Sequence, residues 1–352
     1  MKEEMKILIE SYSTCTQNES GGVQVRIKKI VELLRKKNIT VDFFDKFNTK
    51  VIDYDILHIF MLNIENYELI KYAKKNGLKV VISTIVPLIN GYKIDIYRKL
   101  VKLPIPTTYK ILLQSLQLAD LLIVETPAEK KFLIKHYNID KNKIYIIPNG
   151  IEKDEVATRD IYNYIGGEKK YILQVGRFDK NKNQLNTIKA LKNENIEVVF
   201  IGGPQSKNDK YYKKCQEEAK NKKNFHFLGW IDKNSKIIKS AYKNAELVIV
   251  PSFFETFGMV ILEAIAAGKK IVVSETLPIL EYNIISEENT FNPRNVNDIK
   301  KKTIKAFFSE NNNINMQNVN ENFEWSRIIN KHIKCYKEIL GEKDTKKYIK
   351  YM

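Results

Sequence analysis

The sequence predicts an α/β protein built from two doubly wound parallel-sheet domains that face each other across a cleft. Three observations predict it. Apolar runs of strand length alternate with segments of helical period through most of the chain, the alternation occurs twice, and a Pro and an Asn-Gly pair punctuate the chain between the two passes. Strands that read as continuous apolar runs are buried on both faces, which is the state of strands in parallel sheets. At 352 residues with 43% hydrophobic content, the chain is long enough for two cores.

In the first pass the strands are MKILIES from Met5, TVDFF from Thr40, DILHIF from Asp55, KVVIST from Lys79, ADLLIV from Ala119 and KIYIIP from Lys143. Segments such as VQVRIKKIVELLRKK from Val23 carry the helical spacing between them. The second pass has YILQVG from Tyr171, EVVFIG from Glu197, FHFLG from Phe225, AELVIV from Ala245 and KIVVS from Lys270. NQLNTIKAL, KYYKKCQEEAKN and NSKIIKSAYKN are its intervening helices. The joint is placed in IPNGIEKDE, from Ile147. This gives a first domain over 1–149, a second over 150–324, and a C-terminal helical segment over 325–352 that packs back toward the first.

Composition bounds the function. Lys and Arg total 59 against 42 Asp and Glu, a formal charge of +17. The excess has two readings: an anionic partner, or a Lys-, Asn- and Ile-rich compositional bias with no bearing on partners. Nucleic acid is set aside because no compact basic motif with interleaved aromatics occurs. Cys15, Cys215 and Cys335 are far apart and form no CxxC pair, which argues against a disulfide framework or a zinc site. The N-terminus has no signal-like apolar core, and no run reaches the roughly 18 apolar residues of a membrane span. The expectation is a cytoplasmic protein.

Ligands of open parallel sheets bind beyond the carboxyl ends of the strands, where loops enter helices. Glu255 falls in such a loop, after the strand ending at Val250, and Glu263 falls in the first turns of the helix after it. Glu263 stands inside VILEAIAAG, a run apolar enough to be packed, so its charge requires a hydrogen-bonding partner. The amides of Phe257, Gly258 and Met259 head this helix, a place suited to phosphate oxygens. Alone, the two acids read equally as a dipole complement and a solvated helix residue. A second constellation is VGRFDKNKNQ, where Arg177 and Lys182 come after a buried strand and could meet a diphosphate. Gly21 and Gly22 mark the turn into the first helix, but without a GxGxxG pattern a nicotinamide dehydrogenase is unsupported.

Taken together, these residues resemble the retaining GT-B glycosyltransferases of family 4. The resemblance rests on the E-x7-E pair Glu255 and Glu263 within ETFGMVILEA, on VGR…K (Arg177, Lys182), and on VFIGGP, FLGW, PNGI, SGGV and a closing FEWSRI helix. It covers essentially the whole chain. It implies a metal-independent transferase that moves a sugar from a nucleotide-sugar donor, UDP favoured, to a saccharide or lipid-linked acceptor in cell-surface glycan synthesis, with Rossmann-like domains and no cofactor. Glu255 would hold sugar hydroxyls, Glu263 the ribose, and Arg177 and Lys182 the departing diphosphate. Trp230, Thr256, Phe257, Gly258 and Met259 would line the donor site, with Gly22 closing over the phosphates. The alternative is a catalytically silent binding or chaperone subunit, against which the intact Glu255, Glu263, Arg177 and Lys182 speak.

Departures from the family pattern are specific. Many members carry a His where this chain has STIVP, so Thr84 and Ile85 offer no imidazole and His58, at the end of DILH, is the remaining candidate near the cleft, although a lone His at a strand end is more often structural. ETLPILE replaces the usual Gly-rich turn after KIVVS, which leaves the sugar pocket open there. The triplet Asp53-Tyr54-Asp55 reads as a structural turn and not as a metal site. The segment YKIDIYRKLVKLPIPTTYKILLQ, from Tyr92, interleaves basic and apolar residues. It reads either as a surface resting on anionic lipid, which would make the protein peripheral on the inner face of the membrane, or as a loop and helix packed on the sheet.

Overall fold

A computed structural model describes residues 5–13, 15, 22–88, 90–100, 107–151, 158–232, 235–311 and 314–341. Gly21, Pro104, Pro106 and the Lys-rich tail beyond Gly341 lie outside the described residues. The chain divides into two units, one of 1–149 with 323–352 and the other of 150–322.

The first unit runs β1 (Lys6–Glu10), α1 (Gly22–Arg35), β2 (Thr40–Phe43), β3 (Ile56–Phe60), α2 (Tyr67–Lys75), β4 (Lys79–Ser83), α3 (Gly91–Leu100), α4 (Thr108–Leu118), β5 (Leu121–Val124), α5 (Pro127–Tyr137) and β6 (Ile144–Ile146). Its six strands are all parallel, in the order β2-β1-β3-β4-β5-β6. Strands such as Ile56–Phe60 are buried at every position because helices cover both faces.

The second unit runs β7 (Tyr171–Val175), α6 (Gln184–Leu191), β8 (Glu197–Ile201), α7 (Lys210–Glu218), β9 (Phe225–Phe227), α8 (Lys236–Asn244), β10 (Leu247–Val250), α9 (Met259–Ala266), β11 (Lys270–Ser274), β12 (Thr290–Phe291) and α10 (Val296–Phe308). The strand order is β12-β11-β10-β7-β8-β9, again all parallel. β12 has only two residues and gives no periodic signal. α11 (Met316–Phe323) and α12 (Trp325–Ile339) close the described chain.

Helix boundaries reflect local chemistry. At α5, the Thr126 hydroxyl accepts the Glu129 N–H at 3.1 Å and Pro127 fills the first helical position, where no N–H is needed. Ser235 caps α8 in the same way, accepting from Ile237 and Ile238. Asp55 of the triplet accepts the Lys6 N–H at 2.8 Å and so fixes the start of β1. Cys15, Cys215 and Cys335 are free thiols, all buried.

α12 is fastened to the first unit by a polar latch within an apolar face. Ile328, Ile329, Cys335 and Tyr336 pack against Ile27, Ile30 and Phe60. The Tyr336 hydroxyl lies 2.8 Å from His58 Nδ1 and 3.3 Å from His332 Nδ1, and the Ser83 hydroxyl lies 2.9 Å from His58 Nε2. Beside it, buried Arg26 pairs with Glu125 and donates to the Ile147 carbonyl.

Burial holds the His58 imidazole well below its usual pKa, with the His332 and Arg26 charges adding to it. His332 is lowered to about 3 by the same desolvation and by Arg26. The unfolded chain therefore takes up protons below pH ~6.5 that the folded chain refuses, so this contribution to stability is whole above that pH and falls with acid. Glu129 works in the opposite sense. Burial, then the Glu125 charge, raises it to about 7 against an ordinary value of 4.5. Its contribution is whole below ~4.5 and is lost as pH rises through 7. Glu129→Gln should accordingly gain stability relative to the parent as pH is raised from about 5 to about 8. Urea midpoints at the two pH values check this, and an unchanged difference would contradict it.

Candidate functional site

In the second unit the chain leaves β7 toward β8 on one side and returns to β10 on the other. The crevice between β7 and β10 is the topological switch point, where doubly wound sheets admit ligands. The loops after these two strands, 176–183 and 251–258, are stitched together there. Phe253 N–H donates to the Asn181 carbonyl at 2.9 Å, and Asn181 Nδ2 donates to the Phe254 carbonyl at 2.8 Å. Asn183 Nδ2 reaches the Pro251 carbonyl at 3.1 Å and that of Pro293 at 2.9 Å. Asn183 adopts φ 60°, a left-handed conformation that Asn tolerates better than most residues, and it is 3% exposed.

The stitching sets Lys182 against Glu255. Lys182 Nζ donates to Glu255 Oε1 at 2.6 Å, and the Ser252 hydroxyl donates to the same oxygen at 2.6 Å. Among the described residues, Glu255 Oε2 accepts no hydrogen bond. The Lys182 stem lies along Gly176, where a Cβ would meet its Cδ at 3.4 Å; Gly176 also has φ +148°, a region that side chains rarely enter. Arg177 next to it is half exposed and donates from Nε and Nη2 to Asp179 Oδ2, at 3.0 and 2.9 Å.

Beyond Glu255 the loop turns into α9. Gly258 is the residue before the helix, at φ +106°, Phe257 is buried, and Thr256 and Met259 are partly buried. Glu263, inside α9, has the partner that its apolar surroundings require: the Tyr242 hydroxyl donates to its Oε2 at 2.6 Å. Burial, then the Glu263 charge, pushes the Tyr242 phenol well above its usual pKa, so it stays a donor. Trp230 comes after β9, is 61% exposed, and donates from Nε1 to the Pro204 carbonyl at 3.3 Å. Its indole lies over Gly203, where a Cβ would come within 2.5 Å of the ring.

The structure therefore brings Glu255, Lys182 and Arg177 to one crevice, with Thr256, Phe257, Gly258, Met259 and Glu263 continuing from it. Gly22 is in the first unit, as the first residue of α1. His58 requires a correction. The sequence offers it as a candidate near the cleft, at a strand end where a lone His is more often structural, but it lies in the middle of β3, 0% exposed, with both ring nitrogens hydrogen-bonded to Tyr336 and Ser83. A ring so enclosed reaches no substrate; it secures α12. Thr84 is likewise engaged, donating to the buried Glu129 at 2.6 Å, and Ile85 has φ 48°, strained for a β-branched residue. Sequence reasoning misses Ser252, Asn181, Asn183 and Tyr242. Only Ser252 carries a signal, as a small polar residue three positions before Glu255; the others emerge from tertiary contacts.

Two six-stranded parallel sheets with helices between the strands are the GT-B fold. The chain belongs to the group 1, family 4 glycosyltransferases: residues 162–323 match the family model Glycosyl transferases group 1, and 45–155 match Glycosyltransferase Family 4. It is 29% identical over 180 residues to a D-inositol 3-phosphate glycosyltransferase of Corynebacterium glutamicum, covering 46% of this chain and 43% of that one. It is 27% identical over 179 residues to a processive diacylglycerol alpha-glucosyltransferase of Acholeplasma laidlawii, covering 48% and 52%. The matched region is about half the length of these curated relatives. Among solved structures it resembles Anabaena HepE in complex with UDP, with TM-score 0.72, 15% identity, and coverage of 95% of this chain and 100% of that one.

Asn183→Ala removes two buried hydrogen bonds to carbonyls that then lose this partner, and places Ala in a left-handed conformation. We expect a loss of about 2–4 kcal/mol, read as a lowered midpoint in denaturant unfolding with unchanged slope.

Proposed function

We propose that this protein transfers a sugar from a nucleotide-sugar donor to a saccharide or lipid-linked saccharide acceptor, with retention of anomeric configuration and no metal ion, in cell-surface glycan synthesis. The observation that carries the reading is the meeting of Lys182 and Glu255 at the switch-point crevice of the second unit, with Arg177 half exposed beside them. Breaking the bond between sugar and nucleoside diphosphate builds negative charge on the diphosphate. Cations held at the crevice meet that charge as it develops, which lowers the barrier. Glu255 then serves the sugar hydroxyls, and Glu263, steadied by Tyr242, serves the ribose. UDP is the favoured nucleotide, in keeping with the solved relative that holds UDP and, in another crystal, UDP-glucose.

A lipid-linked acceptor and a peripheral membrane position are supported by α3. On one side of this helix Tyr92, Ile96 and Tyr97 are 64%, 54% and 47% exposed, with Lys93 exposed among them. On its other side Ile94 packs into the core and Asp95 is held by His136. Exposed tyrosines and an isoleucine beside a cation suit the boundary between headgroups and acyl chains. Among the described residues, no helix is long and apolar enough to cross a membrane.

Thermal unfolding in EDTA, with UDP, GDP and their common sugar conjugates, tests the reading. A site filled at about 100 times its dissociation constant adds roughly 2.7 kcal/mol, and Glu263→Ala should abolish that shift. No shift with any nucleotide would overturn the proposal in favour of a binding subunit. For the membrane, sedimentation with phosphatidylglycerol-containing vesicles should fall at least severalfold in Tyr92→Ser/Ile96→Ser; equal sedimentation would remove α3 from the account.

A further inference from the structure

We infer that Ser252 is a positioning residue for the donor sugar: its hydroxyl keeps the Glu255 carboxylate in place when Lys182 turns to the diphosphate. The inference rests on the function proposed above.

Two donors share one oxygen of Glu255, and they differ in what else they can do. Lys182 Nζ is part-exposed and carries three N–H bonds, so a diphosphate in the crevice competes for it. Ser252 is 1% exposed and has a single O–H, already given to Glu255 Oε1 at 2.6 Å. It is too buried to contact a ligand, so its chemistry is spent on the carboxylate. Its location is fixed from both sides, since the Pro251 carbonyl is held by Asn183 and the Phe253 N–H by Asn181. With Oε1 occupied by Ser252, Oε2 remains to accept from a sugar hydroxyl. Without Ser252, donor binding would draw away the last restraint on Glu255 at the moment when the sugar needs it.

This predicts a split that a merely structural serine would not produce. UDP alone meets the cations, whereas a UDP-sugar also needs an oriented Glu255. Titration calorimetry with UDP and with UDP-glucose, UDP-galactose and UDP-N-acetylglucosamine is the test, on wild type, Ser252→Ala and Ser252→Thr. Ser252→Ala should bind UDP within about twofold of wild type and bind the preferred UDP-sugar about tenfold more weakly, and Ser252→Thr should restore most of that loss. Ser252→Cys, similar in size but a weak donor, serves as a second variant should Ser252→Ala fold poorly, and it should show the same split. Equal weakening of UDP and UDP-sugar, or no weakening of either, overturns the inference while the proposed function stands. Failure of the wild type to bind any of these ligands, or GDP and its sugar conjugates, removes the proposed function and this inference with it.

Discussion

Every strand in both sheets is parallel, and a parallel sheet in water requires helices on both faces. That requirement forces each strand to lead into a crossover and brings the carboxyl ends of all six strands in a unit to one edge. It also leaves one place per sheet where neighbouring crossovers depart in opposite directions. In the second unit that place is between β7 and β10. The loops there cannot pack under a helix, because the helices diverge. They are held by side-chain hydrogen bonds from Asn181 and Asn183 to backbone carbonyls.

The same edge explains how acids can sit close to a core. Glu255 is part-buried, Glu263 lies in a helix whose Ile261, Leu262, Ala264 and Ile265 are buried, and Glu125 and Glu129 are enclosed in the first unit. Each has specific donors: Lys182 and Ser252, Tyr242, Arg26, and for Glu129 the Thr84 hydroxyl with the amides of Val86 and Glu125. Removing a charged group from water costs several kcal/mol, so a partner is a condition of the fold. The donors differ in kind, and the difference matters for chemistry. Lys182 can be shared with an incoming anion, whereas Thr84 and the amides around Glu129 belong to the interior.

The repeating elements are legible in the sequence because continuous apolar runs and helical spacing are local signals. The two-residue β12 is not, since it contributes no period, and its place is set by pairing with β11. Glu255, Lys182 and Arg177 are legible by position after buried strands, and the need of Glu263 for a partner is legible from its apolar neighbours. The partner itself, Tyr242, is not, because it is 21 residues away on another helix. His58 shows the converse. A lone His in an apolar strand reads either as structural or as a candidate for the cleft, and what decides its role is Tyr336, 278 residues later, which no local pattern can reveal.

The two units share an all-parallel, doubly wound architecture with different strand orders, and they have used their strand ends differently. In the second, the groups at the switch point retain capacity: an oxygen of Glu255 without a partner among the described residues, a shareable ammonium, a half-exposed guanidinium. In the first, His58 within β3, Ser83 at the end of β4 and the groups after β5 are absorbed into the latch with Tyr336 and the network of Arg26, Glu125 and Glu129. The first unit also presents the tyrosine-bearing side of α3, where Tyr92, Ile96 and Tyr97 are exposed. On the proposed function, recognition of the diphosphate would rest on the ammonium and guanidinium of the second unit.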